Sequence, residues 1–437
     1  MNCCKMNILL AELLQERYNR KSKKMKKISN HLLAFFLFVF VLSSIPAKAQ
    51  LNIGQYEDEA PFRTWNTFGI QSASAVGMGE AQFALVADSS ASVINPARLT
   101  ALPKFSCSLN GSFTVASFDK YAIVNTGVLI SEENNTMGLY AVDFAGATFT
   151  YKGWAVGISI GLLENYDRPS QNPDYRYEGE LQYLLEFAQG GLLKNYNISL
   201  ARKIGQWFSF GIGVNYVAGS MEKTIEENLY YNGVTISDRK KHNFTGFYVN
   251  GGLTADIDEK LTIAAVFRTP YTKKADSESI LRYDSPQGNT DIRLEAAAKN
   301  GYKQPLVLGI GVDYRFSPQL RVASDVSYFN WSSYSVTYFD EAIKREFKDI
   351  VKVSGGLEYM GSFRLFQQDF QMPLRAGLSY DPQPVKDPSS HYIYYTFGFG
   401  VHWQRLHLDI GTMLGNEKGS GHNLYGRKLL ITLSYFL

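Results

Sequence analysis

The stretch "LVLGIGVDYRF", residues 306–316, is followed by Ser317-Pro318 and then by "RVASDVSYF", residues 321–329. Leu306, Leu308, Ile310, Val312, Tyr314 and Phe316 share one parity, and Gly309, Gly311, Asp313 and Arg315 share the other. A strict period of two is the signature of a β-strand with one apolar and one small or polar face. The Ser-Pro step then reverses the chain into a second alternating run. The same alternation recurs in Phe208–Ala218 and in Ile393–Trp403. In a soluble sandwich the apolar face would meet a core. In an outer-membrane barrel it would meet lipid, with the polar face lining the lumen.

Three features favour the barrel. The apolar runs last eleven residues or more, longer than the usual soluble strand. Aromatic residues such as Tyr314, Phe316, Tyr328 and Trp403 sit at strand ends, where interfacial girdles belong. The chain ends "KLLITLSYFL", with Leu429, Ile431, Leu433, Tyr435 and Leu437 alternating to the last residue. Such a terminal strand resembles the signal read by the barrel-assembly machinery, an expected partner. Tyr and Phe number 28 each and Gly 37, against 14 Pro. No stretch beyond the first fifty residues is long and apolar enough for a membrane helix.

Residues 1–49 read as a signal peptide. A basic run from Arg20 to Lys27 precedes the apolar run Leu32–Leu42, and Ala47-Lys48-Ala49 supplies the small residues of a cleavage site. Met25 would open a signal of conventional length. No Cys stands at the cleavage site, so a lipoprotein is not expected. Removing nine Lys and Arg and two Asp and Glu with this segment leaves 35 basic against 39 acidic residues. The basic balance of the whole chain thus belongs to the signal, and nucleic acid is not an expected partner. Cys107 alone remains of three cysteines, which excludes a disulfide framework. No metal-ligand spacing, phosphate loop or nucleophile elbow appears. No cofactor, metal or enzymatic activity is therefore expected; His402 and His407 face inward on adjacent strands without a catalytic pattern.

Connections fall into two sizes. Lys152-Gly153, Gly205-Gln206, Asp258-Glu259, Ser317-Pro318 and Gln404-Arg405 are short, whereas 167–191, 227–242, 278–303, 336–347 and 384–390 are long. Counting from a periplasmic C-terminus, every short connection falls on the periplasmic side. Fifteen stretches read as strands. An odd number would place the preceding segment outside, so 121–131 is assigned to an outer loop. The expected fold is all-β: a transmembrane antiparallel barrel of about 14 strands (12–16) over 105–437, with an N-terminal hatch or plug, 50–104, in the lumen.

That hatch carries "GMGEAQFALVADSSASVINPARL", residues 77–99, rich in small residues and neither a clear helix nor an alternating strand. Gly77-Met78-Gly79, Ala87-Asp88 and Asn95-Pro96-Ala97-Arg98-Leu99 resemble the N-terminal hatch of the OmpP1/FadL/TodX family, transporters of long-chain fatty acids and other hydrophobic compounds. Glu80 and Arg98 depart from that pattern, where a small residue and a Gly are usual. "QPLVLGIGVDYRFSPQLRVASDVSYFNWSSY" (304–334) and "LRAGLSYDPQPV" (374–385) resemble the same family.

The resemblance implies a fourteen-strand barrel in the outer membrane, surrounded by lipid and lipopolysaccharide. It also implies passive uptake: capture of a hydrophobic small molecule outside, passage beside the hatch, and lateral exit through the wall. A scaffold or shuttle of a secretion system, or a general porin, stays open. The family captures substrate on loop helices; here Leu181, Leu184, Leu185 and Ala188 fall at helical spacing in 178–191, with Tyr183 and Phe187 nearby. That stripe either captures substrate or packs on the barrel rim. For a substrate carboxylate, Arg268, Arg315, Arg321, Lys352 and Arg375 point inward by parity, and pairing with Asp313, Asp325 or Glu358 is the plainer role. In the second strand Tyr140, Val142 and Phe144 share one parity, but Phe149 and Tyr151 take the other. A one-residue bulge at Ala145-Gly146-Ala147 would reconcile them. It either opens the wall or is an ordinary bulge. The family's own kink lies in the next strand, with Gly157 and Gly161.

Overall fold

A computed structural model of the protein describes residues 71–118, 135–171, 174–285, 290–338, 341–344, 346–419 and 424–437. The signal segment 1–49, the first part of the expected hatch (50–70) and the stretch 121–131 lie outside the described residues. Among those described, fourteen wall strands follow one another around a closed antiparallel ring. They are β1 (Phe105–Phe118), β2 (Asn135–Tyr151), β3 (Trp154–Asn165), β4 (Glu180–Ile204), β5 (Phe208–Leu229) and β6 (Val234–Asp256). Next come β7, in two lengths (Leu261–Arg268 and Tyr271–Ser285), β8 (Thr290–Gln304 and Val307–Arg315) and β9 (Leu320–Phe329, continued by Ser335–Tyr338). The ring ends with β10 (Ile350–Leu365), β11 (Gln368–Pro382), β12 (His391–Trp403), β13 (Leu406–Lys418) and β14 (Tyr425–Phe436). Closure is made by β14 on β1, from Ser106 opposite Phe436 to Ala116 opposite Gly426. The interruptions of β7 and β8 coincide, because Pro270 stands opposite Pro305 in the register and neither offers an N–H to the ladder.

The outward faces are apolar. In β8, Leu308, Ile310, Val312 and Tyr314 are exposed while Gly309, Gly311 and Asp313 are buried. Exposed apolar side chains on this scale belong in hydrocarbon, and no helix of the described residues is long and apolar enough to cross a membrane.

Two expectations are corrected here. The segment 178–191 is not a helix. Leu181, Leu184, Leu185 and Phe187 lie in β4, paired with β5 from Tyr183 opposite Leu229 onward, and 181–184 pairs on its other edge with the short strand Asp174–Tyr177. Tyr183 and Leu185 are buried on one face, so a period of two overlies the helical spacing. The neighbouring strands run past the membrane and offer backbone partners, which overrides local helix preference. For the same reason 227–242 and 278–303 are mostly strand rather than long loop. A further short turn, Phe366-Gln367, joins β10 to β11, both residues with positive φ.

Candidate functional site

The lumen is occupied by residues 71–104. Helix α1 (Ala73–Gly77) starts at Ser72, whose Oγ accepts from Ala75 N. Helix α2 (Ala91–Ile94) is followed by a 3-10 turn over Pro96–Ala101, capped by Asn95. The motif glycines are explained by the wall. A Cβ on Gly79, whose φ is +69°, would stand 2.4 Å from the Gly355 carbonyl oxygen, and Gly356 and Gly377 meet Met78 and Gly79 as closely from the other side. Backbone therefore lies on backbone, which side chains would prevent. Gly77 packs similarly on Gly398.

Asn95 is the second anchor. Its Oδ1 accepts from Ala97 N at 3.1 Å, and its Nδ2 donates to the Phe83 carbonyl at 2.7 Å and to Thr254 Oγ1 at 3.1 Å. The Asn95 side chain sits on Gly252 and the Pro96–Ala97 backbone on Gly211, where a Cβ would collide. Asp88, buried, accepts from Ser90 N at 2.8 Å, and burial pushes its carboxyl up. Asp325 of β9 accepts from Gln82 N and Phe83 N at 2.6 and 2.9 Å.

The two family departures, Glu80 and Arg98, form ion pairs with the wall. Glu80 faces Lys352 at 2.5 Å and accepts from Ser379 Oγ at 3.0 Å; Arg98 reaches Asp256 at 3.5 Å. Of the inward cations, Lys352 thus binds the lumen segment, Arg375 holds Glu358 and Asp409 at 2.6 Å each, and Arg321 lies near Asp313 and Glu358. Arg315 is exposed at the short-turn end. Arg268 has no hydrogen-bond partner at Nε, and its guanidinium lies 5.8 Å from the Tyr248 ring. Among the described residues Asp325 pairs with no arginine, contrary to expectation; it accepts from amides of the lumen segment.

The wall bulge is also corrected. The β1–β2 register shifts at Asp143, with Asn110 opposite Phe144 and Gly111 opposite Val142, not at Ala145-Gly146-Ala147. Asp143 and Phe144 consequently both point inward, whereas Val142 is 71% exposed and Phe144 1%. Parity alone could not place the extra residue, because any insertion between Val142 and Phe149 restores the outward set. The Phe144 ring lies over Gly146 and belongs to one buried apolar cluster with Phe83, Val93, Ile94 and Leu99 of the lumen segment. Gly157 leaves room for Ser92 and Leu99, and Ser92 Oγ meets Ser159 Oγ at 2.9 Å.

At the same point the wall parts. The β2–β3 ladder runs from Tyr151 opposite Trp154 only to Phe144 opposite Gly161. Beyond it, among the described residues, β2 continues on β1 alone and β3 on β4 alone, with a second bulge at Leu163. Outside this point Ala145 and Ala147 form the low floor of an apolar depression of about 590 Å³. Ile158, Ile160, Tyr196 and Tyr216 surround it. The arrangement joins an aromatic-capped lumen segment, an unpaired wall edge and an apolar outer surface within a few residues. The sequence pointed to the second strand, but the interruption involves β2 and β3 together.

Three solved structures share this fold. A FadL homologue of Pseudomonas aeruginosa is 15% identical, with 84% of this chain and 98% of that one covered, at TM-score 0.62. The toluene transporter TbuX of Ralstonia pickettii is 14% identical, covers 84% and 98%, and scores 0.57. The toluene transporter TodX of P. putida is 13% identical, covers 85% and 99%, and scores 0.58. No curated protein matches the sequence. The family profile described as outer membrane protein transport protein (OMPP1/FadL/TodX) matches residues 63–418. With a closed fourteen-strand barrel and its apolar outer face, the chain belongs to that family of outer-membrane transport proteins.

Proposed function

We propose that the protein lets hydrophobic molecules, among them long-chain fatty acids and monoaromatic hydrocarbons, cross the outer membrane passively and leave sideways through the wall between β2 and β3. Residues 50–104 act as the hatch. The observation that carries this reading is the end of the β2–β3 ladder at Phe144 and Gly161, with the hatch residues Phe83 and Leu99 behind it and an apolar depression outside. An unpaired strand edge facing hydrocarbon costs several kcal/mol per orphaned group, so it persists where it borders a path or is covered. An apolar solute gains about 0.8 kcal/mol per CH₂ on leaving water, so transfer from an aqueous capture site to the membrane needs no energy source while the product is consumed inside. A lumen filled by packed backbone does not suit a general pore.

In an extended strand Leu184 and Leu185 point to opposite sides, so capture becomes a role for the buried face of Tyr183 and Leu185. Leu185→Asp should slow uptake of a hydrophobic probe if the buried face receives the substrate, whereas Leu184→Asp on the other face should change it less. Deleting the gene and measuring both fatty-acid or toluene uptake and release of secreted proteins separates the readings. Loss of uptake with normal secretion supports transport; normal uptake with retained cargo supports a secretion role instead.

A further inference from the structure

The upper end of β3 is tied to the far side of the lumen. Glu164 follows the Leu163 bulge, and its Oε2 lies 2.8 Å from Lys273 Nζ on β7. Tyr166 donates its hydroxyl to Glu164 and meets the same ammonium at 2.9 Å. Lys273 is 0% exposed and lies 4.9–5.6 Å from the ring centroids of Tyr166, Phe244 and Tyr302. The cation is thus paired and enclosed by aromatic faces, where cation–π attraction is strongest because water is absent.

The geometry of this pair is demanding. β3 and β7 are four strand positions apart around the ring. In a round fourteen-strand barrel with strands about 4.8 Å apart and tilted about 40°, their backbones would stand about 22 Å apart. An extended Glu and Lys in contact bridge only about 14 Å between backbones. The wall must therefore bend inward between them, and it has the means. Gly191 of β4, at φ +134°, and Gly219 of β5 approach so closely that a Cβ on either would lie 2.0 Å from a carbonyl oxygen of the opposite strand. They lie level with Glu164, which stands opposite Leu193, itself opposite Gly219.

We propose that the Glu164–Lys273 pair, with Tyr166, is a strut that holds the upper end of β3 inward over this bend and so keeps the wall open between β2 and β3. The strut rests on the lateral-exit reading only for its purpose; the geometry is tested separately. Glu164 and Lys273 are positioning residues, their charged groups paired with each other inside the barrel.

The test uses the full mature chain with Cys107→Ser in lipid nanodiscs, spin-labelled at Val142→Cys and Leu162→Cys across the gap. Lys273→Met should let β3 return toward β2 and shorten the label distance by about 5 Å, one strand spacing. The charge swap Glu164→Lys with Lys273→Glu should restore the native distance. A folded Lys273→Met barrel, judged by heat-modifiable migration, with an unchanged distance would overturn the strut, as would a folded swap that stays collapsed. Should Lys273→Met not fold, Tyr166→Phe, which keeps the ring and loses the hydroxyl, must shorten the distance in the same sense; no change there overturns the proposal. Probe uptake is read on the same samples. A shorter distance with undiminished uptake leaves the strut standing and removes the lateral exit. An unchanged distance, with uptake still blocked by cross-linking the two cysteines, removes the strut and leaves the exit.

Discussion

Glu80 is where the lumen segment is most exposed to a single change. Its carboxylate is buried against Lys352 at 2.5 Å, a contact of charges rather than an aligned hydrogen bond, and Asp381 lies 3.9 Å from the same ammonium. Removing one member of a buried pair costs about 3–5 kcal/mol. Because Asp381 stays near Lys352, Glu80→Ala belongs at the lower end, about 3 kcal/mol. Glu80 also has φ +72°, a left-handed conformation that costs a non-glycine residue about 1 kcal/mol. Glu80→Gly therefore loses the pair but sheds the strain, for a net loss of about 2 kcal/mol. These losses correspond to about 150-fold and about thirty-fold more of the detached segment. Hydrogen exchange of the amides from Gly79 to Phe83, in the reconstituted barrel, should fall in protection by those factors. Glu80→Gln with Lys352→Met should recover only part of it, because the buried Asp381 then loses its neighbouring ammonium. Unchanged protection in Glu80→Ala would refute the reasoning, and so would a greater loss in Glu80→Gly than in Glu80→Ala.

Other expectations are simpler. Gly79→Ala combines a positive φ with a Cβ 2.4 Å from the Gly355 carbonyl oxygen, so it should lower the thermal midpoint of the barrel, whereas an exposed turn glycine such as Gly205 tolerates Ala better because nothing surrounds it. Phe144→Ala removes the ring between the lumen segment and the gap; uptake of a hydrophobic probe should rise, and a fall would assign Phe144 to conduction rather than obstruction. Asp349 accepts from the Tyr328 hydroxyl and Ser332 N, and these hydrogen bonds hold its carboxyl down to about 2. The folded value lies below the unfolded one of about 3.9, so this contribution is complete above pH ~4 and is lost as pH falls toward 2. Trp331 fluorescence should report that change between pH 4 and 2 and stay flat in Asp349→Asn.

Much of the wall was legible because one face of each strand meets a uniform solvent. The alternation of Leu308, Ile310 and Val312 states which side is lipid without any knowledge of neighbours. Where strands leave the membrane that constraint lapses. Leu181, Leu184 and Leu185 then read as a helix although pairing with β5 and with the short strand Asp174–Tyr177 makes them strand. Parity placed Arg375 and Lys352 inward but could not name Asp409 or Glu80 as their partners, since these are distant in sequence. The Gly-Met-Gly and Asn-Pro-Ala motifs were visible, but their cause was not: it lies in Gly356, Gly377, Gly211 and Gly252 on the facing wall. Glu164 and Lys273 left no local trace, because neither spacing nor composition reports a contact across four strands.

The lateral path itself is tested most directly by linking Val142→Cys and Leu162→Cys, in a Cys107→Ser barrel, with a cleavable bifunctional thiol reagent. Entry of a fluorescent fatty acid into the bilayer of proteoliposomes is then followed before and after cleavage. The account requires entry to stop with the link in place and to resume when it is cut. Entry at the same rate in both states would contradict it.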